Sequence, residues 1–497
     1  MTTLRDRIRE RLADETGRLT KEAPYTVALA YPSPYAAAMS SLGYQRIYRA
    51  IMETPGMACE RAFLADEGES SDRAPERPVT YESERPLDAF PVVAVSVAYE
   101  LELAGLIQLL EAAGIPPRRV DRDERHPFIL AGGPLTFSNP LPLAGIVDAI
   151  IVGEAEEITV QVLAELEAIT GPGRRDRQRD RLATLPHVFV PTHHGATLPE
   201  VAKVPDAMIP AWAPIRTPHA VLSNMFLVET ERGCSRTCTY CVMRRSTNGG
   251  MRLASMEKIL SLVPDDARRV GLVGAAVSDH PKIAEMVTKL AESGREVGLS
   301  SLRPDRLNDA LVGALKLAGT KTLTTAMDGP SERLRESLER RARVKHLDRC
   351  AALARAHGME RLKLYLMVGL PTETDEDIDE CARFTTELSK VIPISLGIAP
   401  FCAKRNTPLD GAAFAGIDVV DDRLARLRRG LKGRADVRST SSKWAWVEYV
   451  LAQGGEAEGL AVIDAVHAGG TFAAYRKAFQ AVARTSPPRR KLAIASV

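Results

Sequence analysis

The sequence of 497 residues lacks long apolar runs, and no stretch approaches the roughly 18–20 consecutive uncharged, apolar residues that a membrane-spanning helix needs. The first residues, MTTLRDRIRERLADETGRL, are charged and have no apolar centre, so they do not resemble a secretory signal peptide. Aromatic residues are scarce, at 5%, and the formal net charge is only +2. These absences predict a cytoplasmic protein with no membrane partner and no general attraction to nucleic acid.

Cysteines are also few, and their number, seven, is odd. A large chain without a secretory signal does not rely on a framework of disulfides. Three of the seven, Cys234, Cys238 and Cys241, lie close together in the sequence. A function for the protein must explain this grouping.

Hydrophobic patterning predicts an α/β fold with several domains. Residues 1–24 are predicted as a polar N-terminal helix, and residues 25–170 as a doubly wound parallel sheet, because strand-like runs alternate there with helical patterns. The strand candidates of this sheet lie at 25–31, 58–64, 91–99, 127–133 and the start of 147–167.

A second alternation predicts a partial (βα)6 barrel over residues 222–410. Its six strand candidates lie at 223–229, 269–274, 296–302, 321–327, 362–369 and 394–401. Residues 171–221 are predicted as a linker, and their arginine-rich start is interpreted as solvated, with a nucleic-acid patch as the alternative. Residues 411–497 are predicted as a helical C-terminal region that ends in a basic tail.

The three clustered cysteines have the spacing C-x3-C-x2-C and directly follow the first barrel strand. Loops at the carboxyl ends of barrel strands carry the chemistry in enzymes of this architecture. Thiolates bind zinc or iron–sulfur clusters, but structural zinc needs four protein ligands, and neither His219 nor His280 has finger-like spacing. Three cysteines without a fourth suit a [4Fe–4S] cluster with one open iron.

The segment RGCSRTCTYC resembles the signature of the radical SAM superfamily, including the aromatic Tyr240 just before the third cysteine. The resemblance implies a [4Fe–4S] cluster on Cys234, Cys238 and Cys241, with S-adenosylmethionine (SAM) bound to the open iron. One electron from the reduced cluster would cleave SAM to a 5′-deoxyadenosyl radical, which takes a hydrogen atom from a substrate. An electron donor such as flavodoxin or ferredoxin is implied as well.

Residues after the later strands are similar to the SAM-binding motifs of that family. After the second strand, where the family often has Gly-Gly-Glu, the stretch from Gly271 to His280 has no glutamate, so the amino-group contact falls to backbone carbonyls, Ser278 or Asp279. The residues to which the resemblance assigns cofactor contacts are Tyr240, Gly274, Ser278, Ser300, Arg303, Asp328, Gly369 and Glu373. Asp328 and Glu373 each precede a helix, so helix capping is their alternative role.

Two further residues are candidates for catalysis. His280, at the carboxyl end of the second barrel strand, is predicted as a proton carrier or substrate contact, with a solvated loop histidine as the alternative. Cys402, at the end of the sixth strand, is predicted as a hydrogen donor, with a core cysteine as the alternative. Cys350 and Cys381 fall on predicted helices and are expected to pack in the core.

The N-terminal sheet is similar to the cobalamin-binding domains that precede many radical SAM barrels. Its landmarks AGGP and VGEAEE contain Gly132, Gly133 and Gly153, which would let the backbone approach a ligand, although a tight turn also explains the first two. Base-off cobalamin domains use Asp-x-His-x-x-Gly, but the loop YPSPYAAAMSSLG has no histidine. Two interpretations stay open: cobalamin bound without a protein ligand, or a domain that has lost it.

The sequence therefore predicts a radical SAM enzyme that modifies a C–H bond, with cobalamin-dependent methylation of a small molecule or natural product as the first hypothesis. The alternatives are a cobalamin-free radical SAM enzyme and an RNA-modifying one. The RNA hypothesis would use the arginines of 174–181 and 423–434 and the SPPRRK tail as phosphate contacts. A non-enzymatic iron–sulfur sensor is a further class.

Overall fold

The computed structural model describes residues 3–66, 77–243, 250–300 and 302–485. The chain divides into two compact units: the first combines the residues up to Asn224 with those from Val450 onward, and the second is Met225–Tyr449. Within the described ranges, no helix has the length and apolar character needed to cross a membrane.

A six-stranded sheet forms the centre of the first unit. The strands are β1 (Tyr25–Pro34), β2 (Met57–Leu64), β3 (Val92–Ser96), β4 (Phe128–Gly132), β5 (Ala149–Ile151) and β6 (Val188–Phe189). Their order is β2-β1-β3-β4-β5-β6, and only β6 runs antiparallel to its neighbour. The predicted doubly wound sheet is confirmed. In this order, ligands bind beyond the carboxyl ends of β1 and β3, where the winding reverses.

Helices cover both faces of this sheet, so its strands are continuous apolar runs rather than alternating ones. The helices are α1 (Leu4–Ala13), α2 (Tyr35–Ala38), α3 (Leu42–Glu53), α4 (Glu102–Ala112), α5 (Glu156–Ala168), α6 (Arg174–Leu182) and α7 (Pro191–His194). The predicted N-terminal helix is present as α1, and Thr3 and Asp6 form a capping box at its start.

The segment predicted as a solvated linker contains ordered structure instead. Its arginine-rich start forms α6, and β6 follows and pairs with β5. Arg175 and Arg179 donate to the carboxylate of Asp148 at 2.8 and 2.5 Å, and the Asp148 side chain is fully buried. A buried carboxylate needs such partners. The hydrophobic pattern of residues 174–182 alone could not show that these arginines pair with a buried aspartate elsewhere in the chain.

The second unit contains two parallel sheets and a short antiparallel one, and all six predicted barrel strands are present, which confirms the α/β class and the partial barrel. The strands of this unit are β7 (Met225–Glu229), β8 (Glu231–Gly233), β9 (Met251–Leu253), β10 (Arg269–Val273), β11 (Glu296–Leu299), β12 (Thr322–Asp328), β13 (Arg361–Val368), β14 (Ile394–Pro400) and β15 (Ala435–Ser439). The three-stranded parallel sheet has the order β11-β10-β7, the four-stranded parallel sheet has the order β12-β13-β14-β15, and β8 pairs with β9 in antiparallel orientation.

The C-terminal region is helical, as predicted, and it also contains the short strand β15, which adds a seventh parallel strand beside β14. The remaining helices are α8 (Met256–Leu262), α9 (Ile283–Glu292), α10 (Asp309–Leu317), α11 (Glu332–Ser337), α12 (Val344–Ala356), α13 (Asp375–Ser389), α14 (Ile417–Gly430), α15 (Ser442–Gln453), α16 (Glu456–His467) and α17 (Phe472–Thr485).

Candidate active site

The three-cysteine loop begins at Cys234, directly after β8, and two neighbouring segments hold it in place. The backbone N–H of Thr239 donates to the carbonyl of Leu338 at 3.1 Å, and the hydroxyl of Thr237 donates to the carboxylate of Glu339 at 2.6 Å. On its other side, the N–H of Leu409 donates to the carbonyl of Thr239 at 3.2 Å. The backbone of Thr239 and the side chain of Thr237 therefore anchor the loop to its neighbours.

The thiols of the loop lie close together and are shielded from solvent. Cys238 is buried, while Cys234 and Cys241 are half-buried. Burial raises the pKa of all three, and it raises that of Cys241 to about 11, with the neighbouring thiols of Cys238 and Cys234 adding to the rise. A metal that binds here must displace the thiol protons, so binding would release protons.

The donor set fits a [4Fe–4S] cluster with three protein ligands. In the part of the chain that the structure describes, no three His, Cys, Asp or Glu side chains are gathered around a single metal-ion position. A cluster does not need such convergence, because each thiolate binds its own iron. Cys350 and Cys381 are fully buried elsewhere, and the Cys402 thiol donates to the carbonyl of Ala445 at 3.1 Å.

Tyr240, the aromatic residue before the third cysteine, anchors the loop in an apolar cluster. Burial raises the pKa of its hydroxyl. Its packing partners come from segments that follow β12, β13 and β14, and the buried members of the cluster are Leu334, Leu338, Leu370, Phe401 and Ala403. The ring thus joins the cysteine loop to the carboxyl ends of the four-stranded sheet.

A charged network joins the cysteine loop to the loops after β10 and β11. Arg303 is 2% exposed; it pairs with Asp279 and, at 2.5 Å, with Asp305. From the cysteine loop, Arg236 pairs with Asp305, and the Ser235 hydroxyl donates to Asp279 at 2.9 Å. The guanidinium of Arg303, predicted as a SAM contact, therefore acts between protein carboxylates and positions three loops.

The predicted residues Gly274, Ser278 and Ser300 lie beside this network. The hydroxyl of Ser300 donates to the carbonyl of Gly274 at 2.9 Å and accepts the N–H of the same residue at 3.1 Å. The hydroxyl of Ser278 accepts the N–H of Arg303 at 2.9 Å. These bonds fix the backbone of the two loops that face the cysteines.

Glu231, in β8, is a residue of this site that sequence reasoning missed. It is 1% exposed; one carboxylate oxygen accepts the N–H of Ala276 at 2.8 Å, and the other accepts the hydroxyl of Thr230. Burial raises its pKa to about 7. The available signal was a glutamate three residues before the first cysteine, at the end of an apolar run.

Asp328 ends β12 with φ 63°, a left-handed conformation that is strained for a residue with a side chain. Its carboxylate pairs with Arg340. After burial, the largest influences on the pKa of Cys238 are Arg340, which lowers it, and Asp328, which raises it, so this pair lies beside the cysteine loop. Helix capping, the alternative role of Asp328, is wrong, because Ser331 caps the helix that follows.

Glu373 holds the Gly369 loop at the end of β13. Its carboxylate accepts the N–H of Gly369 at 2.9 Å and that of Leu370 at 3.3 Å, and it pairs with Arg423 at 2.9 Å. Gly369 has φ 80°, which favours glycine. Thr374 caps the following helix instead, so Glu373 is a clamp for the loop rather than a helix cap.

His280 and Cys402, the two predicted catalytic residues, have partners in the protein itself. His280 is 4% exposed; its Nδ1 accepts the N–H of Lys282 at 3.1 Å, so its Nε2 is the protonated nitrogen and donates to the carbonyl of Ala254 at 2.9 Å. It is thus not the solvated loop histidine of the alternative interpretation, and both of its ring nitrogens are bonded to the backbone. The Cys402 thiol faces the backbone carbonyl of Ala445.

In the first unit, two of the three predicted glycines are explained by packing. A Cβ atom on Gly133, which has φ 104°, would lie 2.7 Å from the carbonyl oxygen of Val97. A Cβ atom on Gly153 would overlap the backbone of Ala202. Only Gly132 has open space on its α-carbon, so the geometry gives the other two a structural reason that needs no ligand.

Comparison with known families matches both units. Residues 43–191 match the family described as radical SAM proteins, N-terminal, and residues 228–385 match the radical SAM superfamily. The uncharacterized protein MJ0966 of Methanocaldococcus jannaschii is 26% identical over 78% of this chain and 80% of its own length. The ribosomal protein uS12 methylthiotransferase RimO of Anaeromyxobacter sp. (strain K) is 26% identical over 57% of this chain and 60% of its own length.

Two solved structures share the fold at low sequence identity. The radical SAM methyltransferase TsrM of Kitasatospora setae, bound to tryptophan and a SAM analogue, has a TM-score of 0.52 and 14% identity over 80% of this chain and 76% of its own. The cobalamin-dependent radical SAM enzyme OxsB, bound to aqua-cobalamin, has a TM-score of 0.50 and 13% identity over 83% of this chain and 58% of its own. These likenesses establish the fold, not the reaction.

Proposed function

Because the chain belongs to the radical SAM superfamily, we propose that this radical SAM enzyme modifies a C–H bond of a small molecule, with methyl transfer as its reaction. The observation that carries the proposal is the anchored loop of Cys234, Cys238 and Cys241 at the carboxyl end of the barrel strands, in a chain whose N-terminal part is a doubly wound sheet. TsrM is a methyltransferase with this overall fold, and OxsB is cobalamin-dependent, which supports the choice of reaction.

Cys234, Cys238 and Cys241 would hold the cluster, which would supply the electron for the reductive cleavage of SAM. The chain's own residues bind and orient the cofactor. The network around Arg303 fixes the loops after β10 and β11, the clamp of Glu373 fixes the Gly369 loop, and the Asp328–Arg340 pair borders the cysteine loop. Rigid loops of this kind hold reacting groups in one geometry, which is where much of the rate enhancement arises.

Cobalamin is the second cofactor of the proposal, on the carboxyl edge of the first unit's sheet. The strand order supports a ligand site beyond β1 and β3. The loop after β1 has no histidine, and its one soft ligand, Met39, is 2% exposed with its sulfur 3.5 Å from the guanidinium of Arg61. We therefore propose that the protein contributes no ligand to cobalt.

A titration with hydroxocobalamin separates the cobalamin-dependent enzyme from the cobalamin-free one. Bound cobalamin whose reduced form lacks nitrogen superhyperfine splitting in electron paramagnetic resonance is the expected result. Splitting from an axial nitrogen would show a histidine or the cofactor's own base at cobalt and would contradict an unligated lower face. No binding at all would favour the cobalamin-free alternative, with the first unit acting as a structural domain.

A macromolecular substrate is the second candidate, because RimO acts on a ribosomal protein and the sequence has arginine-rich segments. Several of these arginines are paired within the protein: Arg423 with Glu373, Arg426 with Asp379 at 2.6 Å, and Arg181 with Glu165 at 2.6 Å. The SPPRRK tail lies outside the described residues. A gel-shift titration against salt tests RNA binding: a salt slope near zero would end the RNA-modifying alternative.

Turnover with labelled SAM tests the proposed reaction. The cluster-loaded protein is incubated anaerobically with hydroxocobalamin, methyl-deuterated SAM and a metabolite pool, with reduced flavodoxin or ferredoxin as the electron donor. The expected product carries the intact deuterated methyl group. A product that has lost hydrogen without gaining this group would overturn methyl transfer while leaving the radical chemistry in place.

A further inference from the structure

Glu231 is a buried carboxylate that has no cationic partner within the described part of the chain. Among the residues with described positions, no Arg, Lys or His pairs with it, and its hydrogen bonds come from the N–H of Ala276 and the hydroxyl of Thr230. Buried charges in proteins are normally paired, because removing an unpaired charge from water is costly. A buried carboxylate beside a candidate active site therefore points to a cation that binds there.

Two described arginines near Glu231 have other carboxylate partners. Arg232 pairs with Glu229 at 2.8 and 2.9 Å, and Arg303 pairs with Asp279. The two nearby acidic residues, Glu229 and Asp279, add negative charge and raise the pKa of Glu231 further after burial. Since Arg232 balances Glu229 and Arg303 balances Asp279, the charge of Glu231 itself has no counter-charge among the described residues, and a ligand with a positive group would balance it.

Glu231 reaches the loop whose own sequence has no glutamate. The loop after β10 begins at Gly274, and the carboxylate of Glu231 lies between Gly274 and the N–H of Ala276. From the sequence, Ser278 and Asp279 are the side chains suggested to bind the amino group of SAM in place of the missing glutamate. Both have other partners: Ser278 accepts the N–H of Arg303, and Asp279 pairs with the guanidinium of Arg303.

We propose that Glu231 supplies the negative charge that binds the primary ammonium group of SAM at the loop Gly274–Ala276, from the strand before the cysteines rather than from the loop itself. This inference rests on the SAM chemistry of the proposed function. Glu231 then has two tasks: it holds the loop through Ala276, and its charge attracts the ammonium. Only the second task depends on the charge.

Binding measurements on the cluster-loaded protein separate the two tasks. Glu231→Gln keeps an oxygen for the N–H of Ala276 but removes the charge. We expect it to weaken binding of SAM and of S-adenosylhomocysteine by about 10- to 100-fold, the range for a hydrogen bond to a charged group. Binding of methylthioadenosine, which has no ammonium, should not change. Equilibrium dialysis gives the dissociation constants, and iron content verifies the cluster.

A matched control is Glu102→Gln in the first unit. Glu102 is also buried, and its carboxylate accepts the N–H of Ala98 at 2.6 Å and the hydroxyl of Ser33 at 3.1 Å. It should leave the affinity for all three ligands unchanged. Equal affinity of wild type and Glu231→Gln for SAM would overturn the inference, as would an equal loss for methylthioadenosine. A wild type that binds no SAM would instead overturn the enzyme assignment itself.

Discussion

The carboxylate of Glu231 fills the space beside the α-carbon of Gly274, where the side chain of any other residue would overlap it. Residue 274 is therefore a glycine because a residue more than 40 positions earlier needs that space, not because its backbone is strained. The contact joins β8, which leads into the cysteines, to the loop after β10. A substitution on either side should thus disturb both loops.

Gly274→Ala is expected to destabilise the protein by about 1–3 kcal/mol, the usual cost of forcing extra atoms into a packed site. Combining it with Glu231→Ala removes the carboxylate that the new methyl group meets, so the double variant should be less destabilised than the sum of the single ones. Unfolding in urea gives the free energies.

The control for this cycle is Gly271→Ala. Its methyl group would meet Leu227 and Met225 rather than Glu231, so its effect should simply add to that of Glu231→Ala. Additive effects for Gly274→Ala as well would show that the overlap with Glu231 is relieved in some other way.

The stability of the protein should depend on pH through Glu231. Burial raises its pKa to about 7 from an ordinary value of 4.5, so the folded state binds a proton more tightly than the unfolded state does. This contribution to stability is fully present below pH 4.5 and is lost as the pH rises through 7. It amounts to about 3 kcal/mol at most, at 1.36 kcal/mol per pKa unit.

Glu231→Gln does not titrate and isolates this effect. Between about pH 4.5 and pH 7, the free energy of unfolding of the wild type should fall relative to that of the variant. Unfolding titrations of both proteins at several pH values measure the difference. A difference that does not change with pH would mean that Glu231 keeps an ordinary pKa.

Replacement of Cys234, Cys238 or Cys241 by alanine should each abolish the cluster, because two thiolates cannot hold four irons. Cys350→Ala and Cys381→Ala are the controls, since both residues are buried on helices away from the loop and should retain iron and sulfide. Iron and sulfide analysis after anaerobic reconstitution provides the measurement. Full iron content in any of the three loop variants would contradict the assignment.

His280→Asn should lower stability by about 1–2 kcal/mol while leaving SAM cleavage and its pH profile unchanged. The asparagine oxygen can replace Nδ1 as the acceptor for Lys282, but the bond to the carbonyl of Ala254 is lost. A changed pH profile would restore the catalytic role that the sequence predicted for this histidine.

The sequence predicted the strands of both units well, because buried parallel strands are distinct apolar runs. It missed β15, whose residues Asp436 and Arg438 are exposed and interrupt any apolar pattern. That strand exists because β14 offers an open edge for pairing, which is a tertiary fact.

The sequence predicted where the site residues lie along the strands, but not which residues they contact. The cysteines, Asp328 and Gly369 lie at strand ends, as their place in the alternation required. The neighbours that decide each role come from distant segments: Ala254 for His280, and Ala276 for Glu231. Sequence spacing carries no record of such contacts, so a glutamate in a strand could not be told from a surface residue.

Formation of 5′-deoxyadenosine is the most direct test of the central claim, that the three-cysteine loop holds a cluster that cleaves SAM. The cluster-loaded protein is incubated anaerobically with SAM and dithionite, and the products are separated by chromatography. The account predicts 5′-deoxyadenosine from the wild type and none from Cys238→Ala. A wild type with a full complement of iron and sulfide that yields no 5′-deoxyadenosine would contradict it and would favour an iron–sulfur sensor.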